Sequence, residues 1–389
     1  MKNLDKLLKK NVHNINNKIN IPIQKNGAHF ICNSEEFNGE ILSYLIDFVN
    51  NYKRTYKSNQ VPIYFEFLSE ELVIKDKLVY VMFECICYQL CLDGIKVHIR
   101  IQPKKIFITN GIFTSPLRFL IDNKNRNVKS FLNVFNGDIS DKHYRKVMKV
   151  QELKSNYLGR SIEDMAYSLK LLSLSDDTID KISEVVEELV GNAGEHIISD
   201  CLVDIDVAPD LTLTDDKELS NSTYWGINIA IVSFSDILFG EGIKKKLCNN
   251  SFVDNRYLEL INAYINHSTL SKGEKNYEEY FWNIAALQDK ISGRNNLDLT
   301  GGTGLTVLIN RLQQAAYGEY CYMMSGNKII YFNKDYIKYD KNNWFPFNEQ
   351  NDFLNYLASD DILWKSHVFL PGTAYNLNFV MKASEQNGN

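Results

Sequence analysis

Two short stretches carry residue types that could do chemistry together. Glu188-Leu189-Val190-Gly191-Asn192-Ala193 sets a carboxylate and a side-chain amide four residues apart within a helical pattern. On a helical wheel that spacing is about 40°, and both lie away from the apolar stripe of Ile179, Ile182, Val185, Val186, Leu189, Val190, Ala193 and Ile197. The pair can therefore reach one spot. The carboxylate could orient or deprotonate a water, and the amide oxygen could ligate Mg²⁺, a hard cation that prefers oxygen donors and keeps several waters. Further along, Thr300-Gly301-Gly302-Thr303-Gly304-Leu305 runs into a helical pattern of Leu305, Val307, Leu308 and Leu312. Glycines let backbone approach a ligand, Thr303 adds a hydroxyl, and the N–H groups of a helix start attract phosphate oxygens. Each stretch also has a plainer reading. Glu184, Glu187, Glu188 and Glu195 would make a solvated acidic face, and the glycines a turn into a helix.

Rival chemistries are less well served. A dinucleotide-binding turn needs a buried strand before its glycines, whereas Gly293-Arg294-Asn295-Asn296-Leu297-Asp298-Leu299 is polar and loop-like. No Gly-x-x-x-x-Gly-Lys-Ser/Thr run supports a P-loop. Cys85, Cys87 and Cys91 cluster without a histidine or a Cys-x-x-Cys pair, so they lack structural-zinc spacing and read as small buried hydrophobes. The formal net charge of -5 gives no general pull toward nucleic acid or an anionic membrane. The run from Val79 to Leu92 is interrupted by Glu84 and Gln89 and is too short to span a bilayer. No secretory signal follows the basic start, so a reducing, cytoplasmic setting is expected.

The elements that would position these residues fall into two parts of an α/β (α+β) chain. Up to about residue 120, strand and helix patterns alternate: Val61, Ile63, Phe65 and Phe67 at strand period, a helix over 75–92, then Val97, Ile99 and Ile101. This predicts a small α/β module over 1–140. Residues 141–174 read as a helical connector. The second part, 175–389, opens at the N-cap signal Ser175-Asp176-Asp177. Strands are expected at 201–207, 227–234, 319–323, 328–332 and 374–380, with helices from Phe239 to Gly293.

In these residues, 175–381 resembles the GHKL ATPase superfamily, which shares the Bergerat nucleotide fold. Glu188-x-x-x-Asn192-Ala193 looks like its N-box, and Gly301 to Leu305 like its second glycine box. Pro371-Gly372-Thr373 entering Ala374 to Phe379 resembles the closing strand. The resemblance implies a two-layer α/β sandwich with a mixed sheet, binding ATP or ADP with Mg²⁺. Glu188 would be catalytic and Asn192 would hold the metal. Gly240, Gly242, Gly301, Gly302, Thr303, Gly304, Leu305 and Thr373 would contact the nucleotide. The family's first glycine box reads Asp-x-Gly-x-Gly. Here Leu238 stands at the expected Asp, and Asp236, two residues earlier, reaches the base only if the turn bulges.

Residues 243–299 would form a lid, with Arg294 near phosphate or simply exposed, and His196 extending the N-box or packing. The N-terminal module is loosely similar to a STAS regulatory domain and would meet a protein partner. Nucleic acid and membrane are not expected as partners, and the resemblance allows a homodimer. The implied role is a slow Mg²⁺-dependent ATPase used as a conformational switch in bacterial regulation or defence. Two alternatives stay open. One is a serine or histidine protein kinase, for which His143 is the connector's sole phosphoacceptor candidate. The other is a non-catalytic scaffold with a degenerate nucleotide site.

Overall fold

A computed structural model describes residues 1–11, 23–24, 27–56, 61–102, 106–109, 114–140, 142–153, 157–171, 174–193, 199–209, 224–249, 255–272, 275–292, 308 and 321–382. The chain begins with α1 (Asp5–Lys10), β1 (Ile23–Gln24), β2 (Gly27–Cys32), α2 (Gly39–Thr55), β3 (Ile63–Phe67), β4 (Glu71–Ile74), α3 (Lys77–Leu92), β5 (Val97–Ile101) and β6 (Ile106–Thr109). A 3-10 turn at Pro116–Leu120 leads to α4 (Val128–Asn136), β7 (Gly137–Ser140), β8 (His143–Met148), α5 (Val150–Leu153), α6 (Tyr157–Leu171) and α7 (Asp176–Asn192). Then follow β9 (Cys201–Pro209), β10 (Tyr224–Phe234), α8 (Glu241–Cys248), α9 (Asn255–Leu270), α10 (Lys275–Ala286), β11 (Tyr322–Tyr331) and β12 (Leu363–Lys382).

Strands separated by helices must cross over, and the first part does so: β2, β3 and β5 run parallel in a four-stranded sheet of order β1-β2-β3-β5. The second sheet has six strands in the order β11-β12-β10-β9-β8-β7. The expected α+β class therefore holds. The mixed sheet expected for the second part is, among the described residues, antiparallel throughout.

Two expectations are revised in detail. Residues 143–148, read as the start of a helical connector, form β8 and pair with β9. The strand escapes notice because both its faces are buried, with Tyr144 and Met148 on one and His143, Arg145 and Val147 on the other, so apolar and polar residues do not alternate cleanly. Helices α5 and α6 supply the rest of the connector. The two late strands expected near 319–332 are one strand, β11, bent where Gly326 adopts φ +61° and the register with β12 shifts.

Both faces of the six-stranded sheet are covered. Ile227, Ile229 and Ile231 of β10 join α6 and α7 in one core, while Ala230, Val232 and Phe234 join α1, α2 and α3 in the other. Helix α3 is buried along almost its whole length because it lies between the two sheets, and this accounts for its largely apolar run. Cys85, Cys87 and Cys91 on it are buried free thiols. The N-terminal module is thereby stitched to the second sheet. Asp76 caps α3 by accepting from Val79 N–H and also accepts from the Tyr322 hydroxyl of β11 at 2.7 Å. Asn11 bonds the Phe369 backbone on β12 through both ends of its amide.

Candidate functional site

Helix α7 starts where the sequence places it. Ser175 accepts from Thr178 N–H at 3.2 Å, and Asp176 and Asp177 occupy the positive first turn. Its apolar face, Ile179, Ile182, Val185, Val186, Leu189 and Val190, is buried against the six-stranded sheet. That packing fixes the direction of the two residues of interest. Asn192 Nδ2 donates to Glu188 Oε1 at 3.0 Å, which turns the amide oxygen away from the carboxylate. Glu184 and Glu187 are exposed, whereas Glu188 and Asn192 are half-buried. The solvated-face reading therefore suits the first pair better than the second.

What α7 faces is the informative part. Tyr375 on β12 belongs to the core that α7 covers. Its phenol is pushed upward by burial, with the Glu188 charge adding to the effect. Thr373, two residues earlier in an unbroken register with β10, points to the same side. Both are 3% exposed, and neither Thr373 Oγ1 nor the Tyr375 hydroxyl has a hydrogen-bond partner. Buried hydroxyls are normally satisfied, so two orphans beside a carboxylate–amide pair stand out. Sequence reasoning picked out Thr373 and missed Tyr375, although the alternation along β12 carries it.

The remaining expected residues divide. Gly301, Gly302, Thr303, Gly304 and Leu305 lie outside the described residues, as do His196 and Arg294. Leu308 is described, helical and fully buried in the core shared with α7 and Tyr375. Gly240 precedes α8 and donates its N–H to Asn283 at 3.2 Å. A Cβ there would sit 2.4 Å from the Trp282 carbonyl carbon, so close packing on α10 alone demands glycine. Gly242 lies in the first turn of α8. A cavity of about 700 Å³ opens here, lined by Gly240, Lys244 and Glu278 among others, but no residue of α7 reaches it.

Asp236 is engaged by helix α1. Its carboxylate pairs with Lys6 and, at 4.0 Å, with Lys10 of α1, and its side chain is 62% exposed. Helix α1 packs on the opposite face of the sheet from α7. The expected lid is also different in kind over its described part: Leu260, Phe281, Ile284 and Leu287 are fully buried, so α9 and α10 form a packed layer.

A second cluster was not anticipated. Asp204 and Asp206 point from β9 toward α3, where the Lys77 ammonium bridges them, 2.5 Å from Asp204 Oδ1. Arg145 Nη1 meets Asp204 Oδ2 at 2.8 Å, and Nη2 lies 2.6 Å from Glu84 Oε2 in an ion pair outside hydrogen-bond angles. His143 Nε2 lies 3.1 Å from Asp204, and Nδ1 lies 3.5 Å from Asp138. Burial depresses the His143 pKa, but the facing carboxylates override it and raise the value to about 9. His143, Asp204 and Asp206 have the spacing of a metal site. Lys77, however, already supplies the cation between the two carboxylates, so the cluster reads as a buried ionic bridge between α3 and the sheet. The signal was present in sequence: two aspartates alternating in the apolar strand Cys201–Val207 require buried cations opposite them. Both His143 ring nitrogens face carboxylates, Asp204 and Asp138, so the ring is committed to this bridge.

No protein-family model, curated protein or solved structure matches the chain. Among the described residues no helix is long and apolar enough to cross a membrane.

Proposed function

We propose that the chain binds ATP with Mg²⁺ between α7 and the face of the six-stranded sheet that α7 covers, in the manner of GHKL ATPases. One observation carries the reading: two buried hydroxyls without partners, Thr373 and Tyr375, on the side of the sheet facing the Glu188–Asn192 pair. The donor set consists of carboxylate, amide and hydroxyl oxygens, which suits a hard cation that keeps part of its water shell. Asn192 would hold the metal through its Oδ1, Thr373 and Tyr375 would bond the nucleotide, and Glu188 would orient the attacking water. The bound ion would supply neutralisation of charge on the phosphate oxygens. The second glycine box, 301–305, enters this proposal from its sequence alone.

Slow hydrolysis as a cytoplasmic conformational switch fits best, with the N-terminal module the part that meets a protein partner. The engagement of both His143 ring nitrogens by carboxylates disfavours a histidine autokinase. Labelled ATP would distinguish the remaining options: released phosphate without labelled protein supports an ATPase, and a labelled partner supports a serine kinase.

Titration calorimetry with Mg²⁺·ATP tests the site. Binding is expected, and Asn192→Ala should weaken it at least about tenfold, the loss of one charge-assisted contact. Unchanged affinity in that variant would remove the metal role. The pairing of Asp236 with Lys6 and Lys10 favours a second reading, a scaffold that has lost its base-reading carboxylate. No rise in melting temperature with millimolar ATP, ADP or GTP would select it, because a ligand specific for the folded form must stabilise that form.

A further inference from the structure

The N-terminal module contains a cavity that the nucleotide reading does not use. It lies beyond the carboxyl ends of β3 and β5, at Phe67 and Ile101, the edge where open parallel sheets commonly bind ligands. Its volume is about 370 Å³, within the range of small-molecule pockets. The walls come from β4, the first turns of α3 and the 3-10 turn at Pro116–Leu120, and Phe37, Phe83, Ile99 and Leu117 make them predominantly apolar. Such a space in a domain core ordinarily closes, because protein interiors pack densely. Here three separate elements hold it open.

The polar groups in the wall restrict the occupant. Ser115 is committed: its Oγ donates to Glu84 at 2.5 Å and accepts from Leu117 N–H at 3.1 Å. Thr114 is not, since its Oγ1 is shielded from solvent and has no hydrogen-bond partner. An anion at this end would face the Glu84 carboxylate behind Ser115. A cation would find Glu84 already paired with Arg145. Arg118 also lines the cavity, but its side chain is exposed and its guanidinium rests 4.9 Å from the Phe119 ring centre.

We propose that this cavity is a binding site for a small uncharged amphiphile, an apolar body bearing one hydroxyl or carbonyl oxygen that bonds Thr114 Oγ1. A body of roughly six to ten carbons suits a pocket of this class. The site lies next to the junction of the two sheets. Ser115 bonds Glu84, and Glu84 leads through Arg145 to Asp204 on β9. Occupancy is thereby placed against the contact that joins the N-terminal module to the rest of the chain. The proposal goes beyond the nucleotide site and does not depend on it.

The test uses the full chain without nucleotide, with 1-octanol as probe and octanoate as its charged counterpart, read by calorimetry and by melting temperature. Saturable octanol binding with a rise in melting temperature is expected, with octanoate at least about tenfold weaker because its charge would be buried near Glu84. Thr114→Val keeps the shape and should weaken octanol about fivefold to tenfold by removing its polar partner. Ile101→Trp fills the mouth from a half-exposed position and should abolish binding; should that variant fail to fold, Thr114→Val carries the test. No saturable octanol binding to the native chain overturns the site. Equal affinity for octanoate, or unchanged affinity in Thr114→Val, overturns the assigned ligand class.

Discussion

The two faces of the six-stranded sheet treat their polar groups differently. On the α3 face, buried charge is matched by charge: Lys77 bridges Asp204 and Asp206, Arg145 joins Asp204 to Glu84, and Tyr322 bonds the Asp76 cap. On the α7 face, the Thr373 and Tyr375 hydroxyls are equally buried and bond nothing, as does that of Tyr144 on β8. Charge paired with charge specifies how two layers dock, even though Glu84 Oε2, Arg145 Nη2 and His143 Nδ1 make no hydrogen bond there; buried neutral hydroxyls with neither a hydrogen bond nor an ion pair are a standing cost that a ligand can relieve. The α3 face is thus a structural interface and the α7 face the candidate site.

The largest effect should come from breaking the matched face. Lys77→Met leaves Asp204 and Asp206 buried without their shared cation and is expected to cost about 3–5 kcal/mol, measured by denaturant unfolding. A cost below about 1 kcal/mol would mean that the ionic bridge does not hold the layers together. Next is pH. His143 is raised from its ordinary 6.5 to about 9 by Asp204 and Asp138, so its contribution is complete below about pH 6.5 and is lost as pH rises through 9. Unfolding free energy should fall across that window by up to about 3 kcal/mol, and His143→Gln should flatten the fall. A native profile with no such decline would contradict the assignment.

A smaller effect sharpens the contrast, because the same substitution is made on each face. Tyr322→Phe leaves a buried Asp76 oxygen without its donor and should cost about 1–3 kcal/mol. Tyr375→Phe removes a hydroxyl that bonds nothing and should shift stability by less than about 0.5 kcal/mol. Equal costs would erase the distinction between the faces.

Much of the layout was legible in sequence. The cap at Ser175, the helix expected over 75–92 and found at 77–92, and the strands at 201–207 and 227–234 follow from local chemistry and period. The Glu188–Asn192 contact follows from helical spacing alone. What escaped has a common cause. β8 is buried on both sides, so its sequence carries no amphipathic signal, and the covering of the sheet by α1 and α3 is a long-range fact that no short window contains. Asp236 shows the same limit: its spacing to the glycines suggested a base contact, while its partners are lysines at the far end of the chain sequence.

If a nucleotide completes the α7 face, its binding should depend on the hydroxyls left unsatisfied there. Calorimetric titration of Mg²⁺·ATP into the native chain and into Thr373→Val measures this most directly, since the substitution keeps shape and removes only the orphan hydroxyl. Saturable binding to the native chain is expected, weakened about tenfold by the substitution with the melting temperature unchanged. No heat of binding, or equal affinity in both proteins, would contradict it.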